Sequence, residues 1–167
     1  MRILGIDPAL RSTGWGVIEI GSDNTLHHIA HGTILVPSNI GFDQRLAQLF
    51  TKIDDAIDSY KPDEVAIEEV FVNMNPGSTL KLGMARGVAM VVPARKSIPV
   101  HEYSANFVKK AIVGNGHATK DQMIAMVGHF LPKAKQSGKD IQSDAADALA
   151  VAICHAHSNH FSRKVRA

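Results

Sequence analysis

RILGIDPALRSTGWGVIEI, residues 2–20, is the stretch whose reading decides the fold. After Arg2 it is apolar up to Asp7-Pro8, where proline ends any ladder because it has no N–H to donate. That pattern reads as a short buried strand over residues 2–6 followed by a turn. Residues 14–20 (GWGVIEI) carry strand character again. Gly21-Ser22-Asp23-Asn24 is a turn, and residues 28–36 make a third strand, so the chain opens as an antiparallel meander.

Working outward, Leu46, Leu49, Phe50, Ile53 and Ile57 recur at helical spacing from Asp43, and the pattern stops before Lys61-Pro62. Residues 64–67 (EVAI) form another short strand that runs into Glu68 and Glu69. Asn75-Pro76-Gly77-Ser78 leads into a helix over residues 79–92, and Pro99-Val100-His101 reads as a short strand. Helices follow over 104–113 and 119–131, then a polar loop over 132–142 (PKAKQSGKDIQ), then a last helix from 143 to about 157. The expectation is an α/β domain over residues 1–160: a mixed sheet, antiparallel meander plus parallel strands, flanked by helices. Residues 161–167, with Arg163, Lys164 and Arg166, read as a frayed, disordered basic tail. There is no internal repeat and no interdomain linker.

Composition fits that reading. A chain of 167 residues suits one domain with a sizeable core, and 45% hydrophobic with 20% charged residues is ordinary for a globular protein. A formal charge of +2 gives only weak support to a nucleic-acid partner. The single cysteine, Cys154, excludes an intramolecular disulfide and reads as a small buried side chain in a reducing compartment. The N-terminus is neither a signal peptide nor a span, and no later stretch reaches the ~20 apolar residues a span requires. The expected location is the cytoplasm, with no membrane partner.

The chemistry lies in the acids. Asp7 and Glu68 each end a strand, and in sheets flanked by helices functional groups gather at the carboxyl ends of strands. In SDAADALAVAI, residues 143–153, Asp144 and Asp147 stand at i and i+3 on one helical face. Ala145, Ala146 and Ala148 let that helix approach the sheet closely, and Asp144 sits near the helix N-terminus, where the dipole favours negative charge. Taken singly these signals are weak. Asp144 beside Ser143 is more often a cap, Asp7 before proline is as often a plain turn residue, and Glu69 faces solvent by strand alternation. Taken together, four acids from three segments can converge. Such a cluster repels itself unless cations neutralise it. Mg²⁺ takes oxygen ligands, and two such ions suit phosphodiester hydrolysis.

At this point four blocks carry a resemblance. GIDPALRSTGWGVI (5–18), AIEEVF (66–71), STLKLGMARGVA (78–89) and SDAADALAVAICHAH (143–157) resemble the signature segments of the RuvC family of bacterial Holliday-junction resolvases, in their usual order. The resemblance covers essentially the whole chain. It implies a ribonuclease H-like fold, a homodimer, and metal-dependent nicking of four-way junction DNA in recombination and repair. It puts the catalytic, metal-holding acids on Asp7, Glu68, Asp144 and Asp147, with two Mg²⁺ per site and Mn²⁺ as a substitute. It also implies DNA contacts at Phe71, which would stack on bases at the crossover, and at Lys109 and Lys120 near the scissile phosphate. Lys81, Arg86 and Lys110 are further candidates for the DNA backbone. Gly83 and Gly87 share a face of the helix through which the family dimerises, although packing on the sheet explains that spacing equally well. The RuvA–RuvB branch-migration complex is the implied partner. One departure is Ala9, where the family commonly has glycine; a positive φ there would strain alanine.

The nine histidines add little, because His155, His157 and His160 do not share a helical face and no cysteine spacing supports zinc. Three other classes stay in view. Actin-like kinases and ATPases open with a similar Asp-containing turn but need two lobes. A non-cleaving module for branched DNA would not need all four acids. A ribonuclease H-like nuclease acting on RNA–DNA hybrid would share the acid cluster.

Overall fold

Alternation along β1 (Arg2–Asp7) sorts its residues to two faces and thereby organises the molecule. Leu4 and Ile6 join Val17, Val65 and Ile67 in a core against the helices α1 (Phe42–Tyr60) and α2 (Pro76–Arg95). Ile3 joins Ile18 and Ala66 in a second core on the opposite face. That core is covered by α3 (Ala105–Val113), α4 (Lys120–Phe130), α5 (Pro132–Lys135) and α6 (Ser143–Val165). These elements belong to a computed structural model that describes residues 1–70, 75–135 and 141–165.

The sheet has the order β3-β2-β1-β4-β5. β2 (Ser12–Ile20) pairs antiparallel with β1 and with β3 (Leu26–Leu35). β4 (Glu64–Glu68) lies parallel to β1, and β5 (Val100–Tyr103) parallel to β4. The expected mixed sheet, a meander extended by parallel strands and flanked by helices, is the observed one.

α6 is the central helix. Ala145, Ala146, Ala148, Leu149, Ala150, Val151, Ala152 and Ile153 are all fully buried, as expected of a helix apolar on every side. Its contact with the sheet is set by two glycines. A Cβ added at Gly5 would lie 2.0 Å from the Ala148 carbonyl oxygen, and one at Gly14 would lie 1.8 Å from that of Asp144. Only the absence of a side chain at these positions lets the helix backbone rest on β1 and β2.

Several boundaries differ from expectation. α2 starts at Pro76 because Asn75 caps it, its side chain accepting from the Ser78 N–H, and proline suits the first helical turn. Within the expected polar loop, Pro132–Lys135 forms a helical turn that buries Ala134. α6 continues past the expected end near His157 to Val165, and Arg166 lies outside the described residues. Ala9 does not adopt a positive φ; among the described non-glycine residues only Asn24, Lys61 and Ser97 do. Its amide instead donates to the Thr13 hydroxyl at 3.0 Å, which closes the turn without strain.

Candidate active site

Strand register brings the first two acids together. Ile6 pairs with Ile67 in parallel, so the following residues, Asp7 and Glu68, stand side by side at the carboxyl ends of β1 and β4. On its other side Asp7 faces Gly14, and the first turn of α6 rests on Gly14 through the Asp144 carbonyl. Asp144 is therefore held over the strand ends, with Asp147 one turn further along the same helix. The Ser12 hydroxyl donates to Asp144 Oδ2 and orients that carboxylate.

Two lysines border the cluster. Lys120 opens α4, whose start is fixed by a capping box between Thr119 and Gln122. Its Nζ donates to the Ser143 hydroxyl at 3.1 Å, at the foot of α6. Lys109 lies on α3, and its charge is felt by Glu68 and Asp147.

The electrostatics are those of crowded like charges. Desolvation, followed by the charges of Glu68, Asp147 and Asp144, pushes the Asp7 carboxyl up to about 8, against an opposing pull from Lys120. Desolvation and the Asp147 charge push Glu68 up to about 7, with Lys109 pulling the other way. Asp147 is raised too, mainly by desolvation, while Lys120 and Lys109 oppose. Two ammonium groups do not offset four carboxylates. A half-buried all-oxygen donor set that is short of positive charge fits hard divalent ions such as Mg²⁺ or Mn²⁺.

The remaining expected residues divide. Arg86 is not at the cluster: its guanidinium makes two hydrogen bonds of 2.7 Å to the Glu102 carboxylate on β5. Lys81 lies on α2 with its Nζ 5.8 Å from the centre of the Phe42 ring. Lys110 is exposed on α3, Glu69 is exposed as strand alternation requires, and Phe71 lies outside the described residues. Cys154 is buried and its thiol is pushed up to about 11 by desolvation, in keeping with a packing role.

Two features escaped the sequence reading. Ser12, which holds Asp144, carries no motif of its own. Glu64, His101 and His155 bring their ligand atoms within 4.8 Å of one another, the one such trio of His, Cys, Asp or Glu among the described residues. They come from three separate elements, so the spacing of histidines along α6 could not reveal them.

With this geometry in view, the family model described as crossover junction endodeoxyribonuclease RuvC matches residues 3–155. The chain belongs to the RuvC family. Curated RuvC proteins share its sequence over nearly full length on both sides. The protein of Paramagnetospirillum magneticum is 51% identical over 99% of this chain and 96% of its own. That of Rhizobium johnstonii is 50% identical over 98% and 94%. Among solved structures, Thermus thermophilus RuvC in complex with a Holliday junction substrate superposes with a TM-score of 0.86. It is 26% identical over 97% of this chain and 96% of that one. The yeast mitochondrial Holliday junction resolvase shares the fold, with a TM-score of 0.67 at 14% identity over 98% of this chain and 83% of its own.

Proposed function

We propose that this RuvC-family chain is the endonuclease that resolves four-way Holliday junctions by paired, symmetric nicks in homologous recombination and DNA repair. The observation that carries the proposal is the convergence of Asp7, Glu68, Asp144 and Asp147 where β1, β4 and the first turns of α6 meet, with lysines on the border. The near-full-length match to RuvC proteins, one of them solved with junction DNA, names the substrate.

In this reading Asp7, Glu68, Asp144 and Asp147 hold two Mg²⁺, with Mn²⁺ able to substitute. Bound there, such ions generate a water nucleophile at neutral pH and stabilise charge on the leaving oxygen. The chain supplies the frame. β1 and β4 fix the spacing of Asp7 and Glu68, the glycine contact seats α6, and Ser12 aims Asp144. Lys109 and Lys120 neutralise the phosphate as it approaches the carboxylates. The products carry a 5′-phosphate and a 3′-hydroxyl, so each nick can be ligated.

Phe71, three residues after Glu68, supplies the base-stacking contact expected of the family. Lys81 and Arg86 contribute outlying backbone contacts, Arg86 only by leaving Glu102.

A homodimer presents two such sites to a substrate that is itself nearly two-fold symmetric. Its interface is α2. Leu80, Met84 and Val91 are 66%, 51% and 46% exposed and lie on one stripe with Gly83 and Gly87. A Cβ at either glycine would meet nothing within 4 Å, so packing on the chain's own sheet does not explain them. The RuvA–RuvB complex is the proposed partner and the cytoplasm the proposed location. Among the described residues no helix is long and apolar enough to cross a membrane.

The test is cleavage of an end-labelled four-way junction beside linear duplex and RNA–DNA hybrid, with Mg²⁺ or EDTA. Paired nicks in the junction alone, lost in EDTA, are expected. Cutting confined to the hybrid overturns the substrate, and junction binding without cutting overturns the enzyme.

A further inference from the structure

β4 and α6 run past one another, so the pair that carries acids at one end carries a different donor set at the other. Glu64 and Glu68 share a face of β4 and stand about 13 Å apart at ~3.3 Å per residue. Asp147 and His155 are separated by a similar ~12 Å along α6 at 1.5 Å per residue. His101 faces Ala66 across the β4–β5 pairing and so joins Glu64 on that face.

The three side chains are closely set. His155, fully buried, has its Nε2 2.6 Å from Glu64 Oε2, and His101 Nε2 is 3.6 Å from the same oxygen. The two imidazole rings lie 4.4 Å apart, centre to centre. Ligand atoms on a tetrahedral zinc ion with bonds of ~2.05 Å stand about 3.3 Å from one another, between these two distances. A support for the buried imidazole is already in place. His155 Nδ1 is hydrogen-bonded to the Tyr103 hydroxyl at 2.7 Å, so the ring's orientation is fixed and Nε2 is aimed at Glu64 and His101. His101 and Glu64 are part exposed, which leaves an entry path and a place for a fourth ligand from solvent.

We infer that Glu64, His101 and His155 form a second cation site, selective for zinc-like ions and separate from the carboxylate cluster. Two imidazoles and one carboxylate with an open position are a zinc donor set, and imidazole discriminates against Mg²⁺. An ion there joins β4, β5 and α6, two of which carry the proposed catalytic acids, and stiffens that frame from the far end. The inference stands apart from the proposed nuclease activity, since no residue is shared.

The experiment is a Co²⁺ titration of the full chain with excess Mg²⁺ present, which occupies the carboxylate site. We expect one Co²⁺ per chain, with the visible absorption of a four- or five-coordinate ion, displaced by one equivalent of Zn²⁺. His101→Ala and Glu64→Gln, both at part-exposed positions, should abolish the band. Tyr103→Phe, which loses the hydroxyl's hydrogen bond to His155, should weaken binding about tenfold. His28→Ala removes one member of the histidine pair on β3, at the opposite edge of the sheet, whose ring nitrogens lie 2.7 Å apart, and should leave the band unchanged. A missing band, or one that survives both His101→Ala and Glu64→Gln, overturns the site and leaves a Tyr103–His155–Glu64 hydrogen-bond chain.

Discussion

The two ends of the β4–α6 pair face the same problem, buried ionisable groups, and solve it differently. At one end Glu64 lies between two imidazoles, and His155 is in turn held by Tyr103, so each group has a partner within the chain. At the other, burial and neighbouring carboxylates raise the proton affinity of Asp7, Glu68 and Asp147, and the lysines nearby only partly oppose this. The contrast teaches that burial alone does not mark the site of chemistry. What marks it is burial left electrostatically incomplete, which an external cation can complete.

The comparison can be broken at the acid end first. Asp7→Asn keeps the shape but removes one carboxylate charge from the cluster, and junction cleavage should fall on the order of 10³-fold while junction binding persists. A gel-based cleavage assay beside a binding titration measures both, and undiminished cutting removes Asp7 from the mechanism. Gly14→Val attacks the seat of α6 instead. Its Cβ would lie within bonding distance of the Asp144 carbonyl, so helix or strand must move at a cost of about 3 kcal/mol. Urea denaturation should show this loss, and an unchanged midpoint would mean that the helix does not rest there.

Smaller effects sharpen the picture. Lys120→Ala and Lys109→Ala should each lower cleavage about tenfold with little change in stability, since each removes a positive charge beside the carboxylates, proposed to meet the phosphate, and no core contact. The ordering reverses if either variant melts well below the wild type before losing activity.

The pH dependence follows from the raised carboxyls of Asp7 and Glu68, about 8 and about 7 against ordinary values of 3.8 and 4.5. Between those limits the folded chain binds more protons than the unfolded one, so metal-free stability falls as pH rises. Cation binding requires the deprotonated acids, so at limiting Mg²⁺ cleavage should climb from pH 6 to about 8, and excess Mg²⁺ should move the rise to lower pH. A profile insensitive to Mg²⁺ concentration contradicts this coupling.

Much of this was legible because local pattern and tertiary use agree. The apolar run that ends at Asp7-Pro8 announced β1 and the acid at its tip, and EVAI announced β4 and Glu68 in the same way. The alanines around Asp144 and Asp147 announced a helix able to lie close to the sheet, which Gly5 and Gly14 receive. What stayed hidden depends on distant pairings. Ser12 matters only because α6 folds back over β2, and nothing near it in the chain says so. Glu64, His101 and His155 are neighbours only after β4, β5 and α6 have assembled. Arg86 looked available to DNA until β5 set Glu102 against it. The last helix outran its apolar pattern, because a helix already anchored by its first turns continues through polar residues at little cost.

The central claim is that the acid end is held in wait for cations at the expense of metal-free stability. Thermal melts at pH 8 of the wild type and Asp7→Asn, each in EDTA and in Mg²⁺, test it most directly. In EDTA the asparagine variant should be the more stable by on the order of 1–3 kcal/mol, having shed a buried like charge. Mg²⁺ should raise the melting temperature of the wild type and leave that of the variant nearly unmoved. A variant no more stable than the wild type in EDTA, or an equal response of both to Mg²⁺, would contradict the account.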